Sequence, residues 1–560
     1  MLETPNEVAA ELARLGPWGK FPGRRKKSDG PPIPRPDNHR VHVTSEKLVD
    51  DIVEYMGDSL LRHKGCDVID IFPGSGVWSK KLNEVLQPRS HILMEPEADI
   101  LYRPFLEPML DRPGVQLVPY SGVMWDQLGK VLSPQYLPHQ VAQPLLVPPS
   151  VPLERNDTLL VTANLSFYPK KIFQFQDNMA QMVLFQFIQS IRSSTLFNKY
   201  GLVRMLIWIH ADEIPGKLPR CMQNRRRATV EMELNTEYMH EIAGGDYDEG
   251  TIWLRNHNLD LEGGRKVLAR MRDKGIRVPA GRETKLYREL HSDPAKVEEG
   301  PAYRLPLFLE ALALEKKYLQ GLIPTGSDEY KLYRRRINYY STRRRRFEQL
   351  HLYVKRLEAL EAMYHAGQHD EANRLFGILT QEIQSQTTGI QADFFLLRDN
   401  IRAFKNDVLC WDRREFEPLQ VQPLEFFPNV QCSLVDIQPK SPHQLLREVG
   451  KRSCRSGDYW DLLLRRMYSN PNNTITQSMD QVYAGAADGI LPECASLHDP
   501  TVGGSPFSGF GECTVRSLTE QQFLEVLEKW IEWPFRPSFY RFLGASEEPA
   551  DLDQHNMWVD

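Results

Sequence analysis

The segment that most constrains the fold reads CDVIDIFPGSGVWSKKLNEVL and spans residues 66–86. Apolar Val68, Ile69 and Ile71 lead into the turn PGSG at 73–76, and a helical pattern follows. A strand, a glycine turn and a helix start in this order are typical of an α/β unit that binds a nucleotide, because small residues let a ligand approach the backbone at the helix start. Phe72 stands where the tightest such turns carry their first glycine, so a plain strand-to-helix turn is an equal alternative.

Strand-like runs recur along the first part of the chain. They cover residues 90–100, 115–122, 157–169 and 203–210, and helical spacers separate them. This alternation predicts an α/β fold with a parallel sheet flanked by helices. After a long helical interval, a further strand-like run occurs at 425–440. We predict that its residues Cys432–Ile437 lie beside Met205–Ile209 in the same sheet.

Changes in composition divide the 560 residues into units. We predict a flexible basic extension at 1–44, an α/β core at 45–215, a mostly helical basic insertion at 216–415, the last core strand or strands at 416–442, and a helical domain at 443–560. Because no run of eighteen apolar residues exists, we expect no membrane span. The seven cysteines are scattered without a CxxC pair. They indicate neither a disulfide framework nor a zinc site, and we predict no metal.

An acidic residue follows the glycine turn at a distance that suits a nucleotide site. Glu95 lies nineteen residues after Gly76, at the end of the next strand-like run. A carboxylate in that place commonly accepts hydrogen bonds from ribose hydroxyls. The glycines Gly74 and Gly76 would then let the cofactor approach the helix start. The plain alternative for Glu95 is a solvated carboxylate in a loop.

A second candidate motif follows the strand-like run at 157–169. It consists of Asn164, Leu165, Ser166 and Phe167. The carbonyl of the Asn side chain and a neighbouring backbone carbonyl can both accept hydrogen bonds from an exocyclic amine, and an aromatic ring can stack on the base. That arrangement suits methyl transfer to an adenine amine of an unstacked nucleotide. A strand-end turn whose aromatic ring packs in the core is at least as common.

The segment YKLYRRRINYYSTRRRRFEQLHLYVKR at 330–356 is strongly basic. Residues 331–356 hold ten Lys or Arg and one Glu, a net charge of +9. Because the whole chain has a net charge of −5, the remaining residues carry −14. The predicted contacts to nucleic-acid phosphates are Arg334, Arg335, Arg336, Arg343, Arg344, Arg345 and Arg346. The interleaved aromatics Tyr333, Tyr339, Tyr340 and Phe347 could stack on unpaired bases. A solvated basic helix, or one paired with acidic groups elsewhere, is the alternative.

Taken in order, several segments resemble the rRNA adenine N6-dimethyltransferase family, in particular its mitochondrial transcription factor B branch. The segments are VIDIFPGSGVWSKKL, LMEPEADI, TANLSFYP, YGLVRMLIWIH, EFFPNVQCSLVDIQP, YWDLLLRRMYSNPNNTITQSM and RSLTEQQFLEVLEKW. The resemblance covers about 40–210 and resumes at 420–540. It implies a Rossmann-like class I methyltransferase sheet with a large helical insertion and a small C-terminal helical domain.

The resemblance also implies roles for particular residues. Asp70, Gly74, Gly76, Glu95 and Asn164 would bind the cofactor S-adenosyl-L-methionine. The catalytic motif would be residues 164–167. It further implies a mitochondrial location, which the N-terminal sequence does not itself indicate, because Glu3, Glu7 and Glu11 come early. The expected partners are DNA or RNA together with a mitochondrial RNA polymerase or the small ribosomal subunit, and we expect a monomer.

The chain departs from the family pattern at several positions. Phe72 replaces the first glycine, Ser166 replaces the motif proline, and Arg40-Val41 replaces a Gln-Asn pair ahead of the first helix. Two functions of different class follow. The first is a transcription factor B-like protein that assists mitochondrial RNA polymerase at promoters and has lost methyl transfer. The second is an active S-adenosylmethionine-dependent rRNA adenine N6-methyltransferase of the small ribosomal subunit. A ribosome-associated structural protein is a third, plainer alternative.

Overall fold

The computed structural model describes residues 2–15, 40–96, 98–144, 148–167, 179–245, 254–298 and 308–544. Its strands are β1 (His42–Val43), β2 (Asp67–Ile71), β3 (Ser90–Met94), β4 (Val115–Val118), β5 (Arg155–Asn164), β6 (Leu202–His210), β7 (Thr236–Gly244), β8 (Leu419–Gln420), β9 (Phe426–Phe427) and β10 (Cys432–Pro439). One sheet of eight strands has the order β4-β3-β2-β5-β6-β10-β7-β8, and β1 pairs with β9 in a separate ribbon.

The large sheet is mostly parallel. Its neighbours run parallel except at β10, which is antiparallel to both β6 and β7. This confirms the predicted α/β class. The predicted pairing of Cys432–Ile437 with Met205–Ile209 is also confirmed, because Cys432 lies opposite His210 and Ile437 opposite Met205.

The α-helices in the first half are α1 (Glu7–Arg14), α2 (Glu46–Met56), α3 (Asp58–Leu61), α4 (Val77–Leu86), α5 (Arg103–Leu110), α6 (Trp125–Val131), α7 (Met179–Ser193), α8 (Arg227–Asn235), α9 (His257–Asp273) and α10 (Lys285–Ser292). Those in the second half are α11 (Phe308–Leu319), α12 (Asp328–His365), α13 (His369–Gln384), α14 (Thr388–Lys405), α15 (Gln444–Arg447), α16 (Ser456–Met467), α17 (Ile475–Val482), α18 (Ala486–Ile490), α19 (Ala495–His498), α20 (Glu520–Glu532) and α21 (Phe539–Gly544). Within the described ranges, none of these helices combines the length and apolarity needed to cross a membrane.

Side chains on the two faces of the sheet belong to two separate cores. In β6, Met205, Ile207 and Ile209 pack on the face covered by α6 and α7. Leu206 and Trp208 point the other way, onto the face covered by α2, α4 and α9. Successive strand residues alternate between faces, and all nine residues of β6 are buried. Burial on both faces is what a parallel sheet between two helical layers requires.

Two predicted segments contain elements that the sequence did not indicate, and residues 16–39 of the predicted extension lie outside the described residues. In the predicted flexible extension at 1–44, α1 buries Ala9 and Leu12 against Tyr102 and Phe427. Residues 40–43 are also buried. The predicted helical insertion at 216–415 contains β7, which pairs with β10 and extends the core sheet. Its sequence TEYMHEIAG lies between polar and helical segments, and strand pairing with the distant β10 stabilises it as a strand.

The helical parts have cores of their own. Helices α12, α13 and α14 enclose Phe347, Leu350 and Phe394. The C-terminal helices α16, α17, α18 and α20 enclose Trp460 and Trp530. Helix α12 is 38 residues long, which corresponds to about 57 Å at 1.5 Å per residue.

The order of the strands locates a ligand crevice. The chain runs from β2 outward through β3 to β4 and then returns to β5 on the opposite side of β2. Open α/β sheets bind ligands outside the carboxyl ends of the strands at such a reversal. The crevice outside β2 and β5 is therefore the place where the predicted cofactor residues should meet.

Candidate cofactor site and nucleic-acid interface

The fold brings the predicted cofactor residues to one edge of the sheet. Asp70 lies near the end of β2, and Gly74 and Gly76 lie in the turn that follows it. Glu95 follows β3, the strand next to β2, and Asn164 ends β5, the strand on the other side. Five residues from three separate parts of the sequence therefore share the carboxyl edge around the β2–β5 crevice.

The turn after β2 has an unusual backbone at a residue that is not glycine. Phe72 has φ of 60°, and Gly74 and Gly76 have φ of 55° and 71°. The left-handed region costs a residue with a side chain roughly 1–2 kcal/mol. The Phe72 ring is buried and lies edge-on to Phe167, with ring centroids 6.2 Å apart. Packing of the ring thus offsets the backbone strain.

Glu95 is held in a buried ion pair. Its two carboxylate oxygens accept hydrogen bonds from Arg40 at 2.9 and 2.8 Å, and Oε2 also accepts from the Gly74 N–H at 3.2 Å. Both side chains of the ion pair are 0% exposed. The Arg40 guanidinium lies over the rings of Phe72 and Tyr102, at 4.8 and 4.7 Å from the centroids. The carboxylate expected to accept ribose hydroxyls is therefore bound to an arginine of its own chain.

Residues 41–43 continue across the same edge. Ser75 Oγ donates to the Val43 carbonyl at 2.7 Å. His42 lies against the turn, since a Cβ added to Gly74 would come 2.3 Å from His42 Nδ1. Burial, followed by the nearby positive charge of Arg40, holds the pKa of His42 well below its usual value, so the imidazole is neutral. The space opened by Gly74 is thus occupied by a side chain of the protein.

The predicted catalytic motif is hydrogen-bonded within the chain. The Asn164 side chain donates through Nδ2 to the Val41 carbonyl at 2.9 Å and accepts through Oδ1 from the Ser166 N–H at 3.1 Å. The Ser166 carbonyl accepts from the Val41 N–H at 2.7 Å. Leu165, Ser166 and Phe167 are buried. In this arrangement the Phe167 ring packs in the core, as in the plainer interpretation of the motif, and does not form a stacking platform for a base.

A small cavity lies between these residues. Its volume is about 20 Å³, and Asp70, Phe72, Asn164 and Trp208 are among its lining residues. About 10–15 Å³ is enough for one water molecule, whereas pockets for cofactor-sized ligands measure roughly 300–1,000 Å³. Together with the bound carboxylate of Glu95, this volume does not fit S-adenosylmethionine in the described conformation.

Sequence reasoning recorded Arg40 as a departure from the family pattern but did not place it in the site. It also overlooked His42. A signal was present, because Arg40 directly precedes the apolar, strand-like VHV at 41–43. The basic composition of the preceding residues concealed that signal. Nothing in the sequence indicated that Arg40 and Glu95, 55 residues apart, would meet.

The basic segment lies on α12, and carboxylates partly neutralise it. Arg336 pairs with Glu310 at 2.9 Å and Arg344 with Glu348 at 3.0 Å. The guanidinium of Arg346 lies 2.6 Å from Asp393, and that of Arg343 lies 3.8 Å from the same carboxylate. Four of the seven predicted arginines are therefore paired with carboxylates, as the alternative interpretation of a helix paired with acidic groups expects.

The other three arginines, Arg334, Arg335 and Arg345, are exposed. Arg334 and Arg345 are eleven residues apart, which is about three turns, so they lie on one face at a separation of roughly 17 Å along the axis. Arg356 lies a further eleven residues along and continues the same face, although it pairs with Glu382 at 2.6 Å. This line of cations is the candidate nucleic-acid interface.

The structure corrects the role of the interleaved aromatics. Tyr333 is buried and stacks on Tyr318 with ring centroids 4.5 Å apart. Phe347 is buried, and Tyr340 packs against the same core. Tyr339 is 39% exposed and lies under the guanidinium of Arg343 at 5.5 Å. These rings face the neighbouring helices because their spacing places most of them on the apolar side of α12, so the predicted stacking surface is reduced to Tyr339.

Comparison with known proteins assigns the chain to no family. No model of a known protein family matches the chain, and no curated protein matches it. The assignment of a function therefore depends on the residues, their contacts and the resemblance of the motifs.

Proposed function

We propose that this chain is a nucleic-acid-binding protein that keeps a methyltransferase-like α/β fold without transferring methyl groups. We further propose that it acts in mitochondria as a transcription factor B-like partner of a mitochondrial RNA polymerase at promoters. The observation that carries the absence of methyl transfer is the buried pair of Arg40 and Glu95 at the carboxyl edge of the sheet. Nucleic-acid binding rests on the exposed cations of α12, and the mitochondrial promoter role rests on the resemblance of the motifs.

The ion pair opposes cofactor binding by a calculable amount. A ribose can use Glu95 only after Arg40 withdraws, and separating a buried pair costs about 3–5 kcal/mol. Each 1.4 kcal/mol corresponds to a factor of ten in affinity. The apparent affinity for a nucleoside is therefore reduced by about two to three and a half orders of magnitude relative to an open site.

Calorimetry with S-adenosylmethionine tests this part. The wild-type protein should release no binding heat at concentrations that saturate an active methyltransferase. Arg40→Ala should gain measurable binding, because Glu95 becomes available, and the double variant Arg40→Ala/Glu95→Gln should lose it again. Arg14→Ala is the matched control, since Arg14 is an exposed arginine paired with Glu11. Tight binding by the wild type, with methylation of a ribosomal RNA fragment, would refute the proposal.

Nucleic-acid binding is tested by the salt dependence of affinity. Replacing Arg334, Arg335 and Arg345 with Ala should flatten the plot of log affinity against log salt by about two to three units, at 0.7–0.9 unit for each lost phosphate contact. The control variant replaces Arg14, Arg103 and Arg374, three arginines whose side chains are at least half exposed and lie on other helices. An equal effect of both triple variants would show that net charge, and not the exposed arginines of α12, determines binding.

The promoter role needs a separate assay. A mitochondrial RNA polymerase should start transcription on closed promoter DNA when the protein is added, and it should need less help on a template with a pre-melted start site. Failure to stimulate transcription on the closed template, with nucleic-acid binding intact, would remove the promoter part of the proposal and leave the binding part.

An rRNA adenine N6-methyltransferase is the second candidate, and one observation favours it. Asp70, Gly74, Gly76, Glu95 and Asn164 do lie together at the β2–β5 crevice. Activity would require the segment around Arg40 to leave that crevice when RNA binds. Methyl transfer to a small-subunit rRNA fragment, lost in Asn164→Ala, would establish this candidate.

A further inference from the structure

We propose that His257, Glu289 and Glu298 form a binding site for one divalent transition-metal ion of the zinc type. The three residues lie outside the cofactor edge and the basic face of α12. One ligand atom from each lies within 4.8 Å of the others. The cluster combines an imidazole with two carboxylates, and this set suits zinc-type ions better than magnesium or calcium, which prefer oxygen ligands alone.

The separations between the ligand atoms support a metal ion more than direct pairing. His257 Nε2 is 3.6 Å from Glu289 Oε2 and 3.9 Å from Glu298 Oε1. Both distances exceed that of a hydrogen bond. Ligand atoms about 2.0–2.1 Å from a tetrahedral ion are about 3.3 Å apart, so small side-chain rotations would complete the coordination. In addition, His257 Nε2 is buried and has no hydrogen-bond partner within the described residues.

The backbone already holds the cluster together. His257 is the first residue of α9, Glu289 lies on α10, and Glu298 follows α10. Asn258 Nδ2 donates to the Glu298 carbonyl at 3.0 Å, and the Glu298 N–H donates to Asn258 Oδ1 at 2.9 Å. These two bonds fix Glu298 beside the start of α9. A pre-formed backbone lowers the conformational cost of binding an ion.

Neighbouring charges orient the ligands. Lys296 Nζ lies 2.5 Å from Glu289 Oε1, which directs the other oxygen, Oε2, toward His257. Asp260 lies near His257, but the Asp260 carboxylate forms an ion pair with Arg255 at 2.7 Å and is therefore not one of the proposed ligands. The inferred ion would have three protein ligands and one water molecule. It would join α9 to α10 and to the segment after it, on the side of the sheet where α9 packs.

Metal titration of the full chain tests the inference. Protein treated with a chelator should bind one equivalent of Zn²⁺, and X-ray absorption of that complex should show one imidazole nitrogen with carboxylate oxygens at about 2.0–2.2 Å. His257→Ala and the double variant Glu289→Gln/Glu298→Gln should bind this equivalent more than about 100-fold more weakly, since even outer-shell changes cost 10–100-fold.

The control variants are His291→Ala and Glu262→Gln, which change an exposed histidine on α10 and an exposed carboxylate on α9. Both should bind Zn²⁺ as the wild type does. The inference is overturned if wild-type protein binds no tighter than His257→Ala, or if the absorption spectrum shows several imidazoles or none. The spectrum of the wild type decides the question even if a variant fails to fold.

Discussion

Replacing Arg40 with Met is the most informative single change in this protein. Arg40 and Glu95 are both fully buried, and the arginine donates two hydrogen bonds to the carboxylate, beside the one from the Gly74 N–H. Methionine preserves much of the side-chain length and removes the charge. The variant therefore leaves a carboxylate in the core without its charged partner.

The expected loss is large for one substitution. Breaking a buried ion pair by removing one partner costs about 3–5 kcal/mol. The contacts of the guanidinium with Phe72 and Tyr102 add about 0.5–2 kcal/mol each where they are desolvated. Methionine recovers part of that contact through its own packing. We therefore expect the free energy of local unfolding at the edge formed by β2 and β3 to fall by about 3–5 kcal/mol.

Hydrogen exchange followed by mass spectrometry measures this local quantity in peptides that cover residues 67–76 and 90–95. Arg14→Met is the matched control, because the pair of Arg14 with Glu11 is 75% and 44% exposed and should contribute less than about 1 kcal/mol. The double variant Arg40→Met/Glu95→Leu should regain most of the loss, since apolar groups can replace a buried pair. A loss below about 1 kcal/mol in Arg40→Met, or no recovery in the double variant, would refute the assigned role of this pair.

Three further predictions concern other parts of the molecule. Burial, assisted by Arg204, lowers the pKa of His63 to about 4, so between pH 6.5 and pH 4 the unfolded state binds a proton that the folded state does not. The stabilising contribution of neutral His63 should be fully present above pH 6.5 and should fall by about 3 kcal/mol toward pH 4. His63→Asn should flatten this decline in thermal unfolding curves. Phe72→Gly should destabilise the protein by about 2 kcal/mol in urea unfolding despite relieving a positive φ, because the loss of a buried ring, about 3–5 kcal/mol, exceeds the backbone gain; a stabilised variant would mean that strain dominates. Asp393→Asn should tighten nucleic-acid binding and steepen its salt dependence by about one to two units, since it removes the negative charge that Arg343 and Arg346 face. Weaker binding in a fluorescence anisotropy titration would contradict a contribution of these two arginines to nucleic-acid binding.

Local patterns in the sequence were sufficient for much of the fold. Apolar residues at 68, 69 and 71, the turn at 73–76 and the strand-like runs that follow predicted a parallel sheet, because strands separated by helical segments are typical of a parallel sheet flanked by helices. The pairing of Cys432–Ile437 with Met205–Ile209 was predicted from the strand-like alternation in both segments and the helical character of the residues between them. Strand β7 was missed because its sequence TEYMHEIAG mixes charged and apolar residues, and its pairing partner β10 lies almost 190 residues further on.

The candidate site shows where sequence reasoning stops. Residue types and spacing placed Glu95 and Asn164 at the right edge of the sheet, because the carboxyl ends of parallel strands meet there. What those side chains contact was decided by tertiary structure alone. Arg40 reaches Glu95, His42 fills the space beside Gly74, and the Asn164 amide bonds to the Val41 carbonyl. The sequence determined which chemical groups stand at this edge, whereas folding decided that they bind one another, because contacts between residues distant in sequence depend on how the chain is packed in three dimensions.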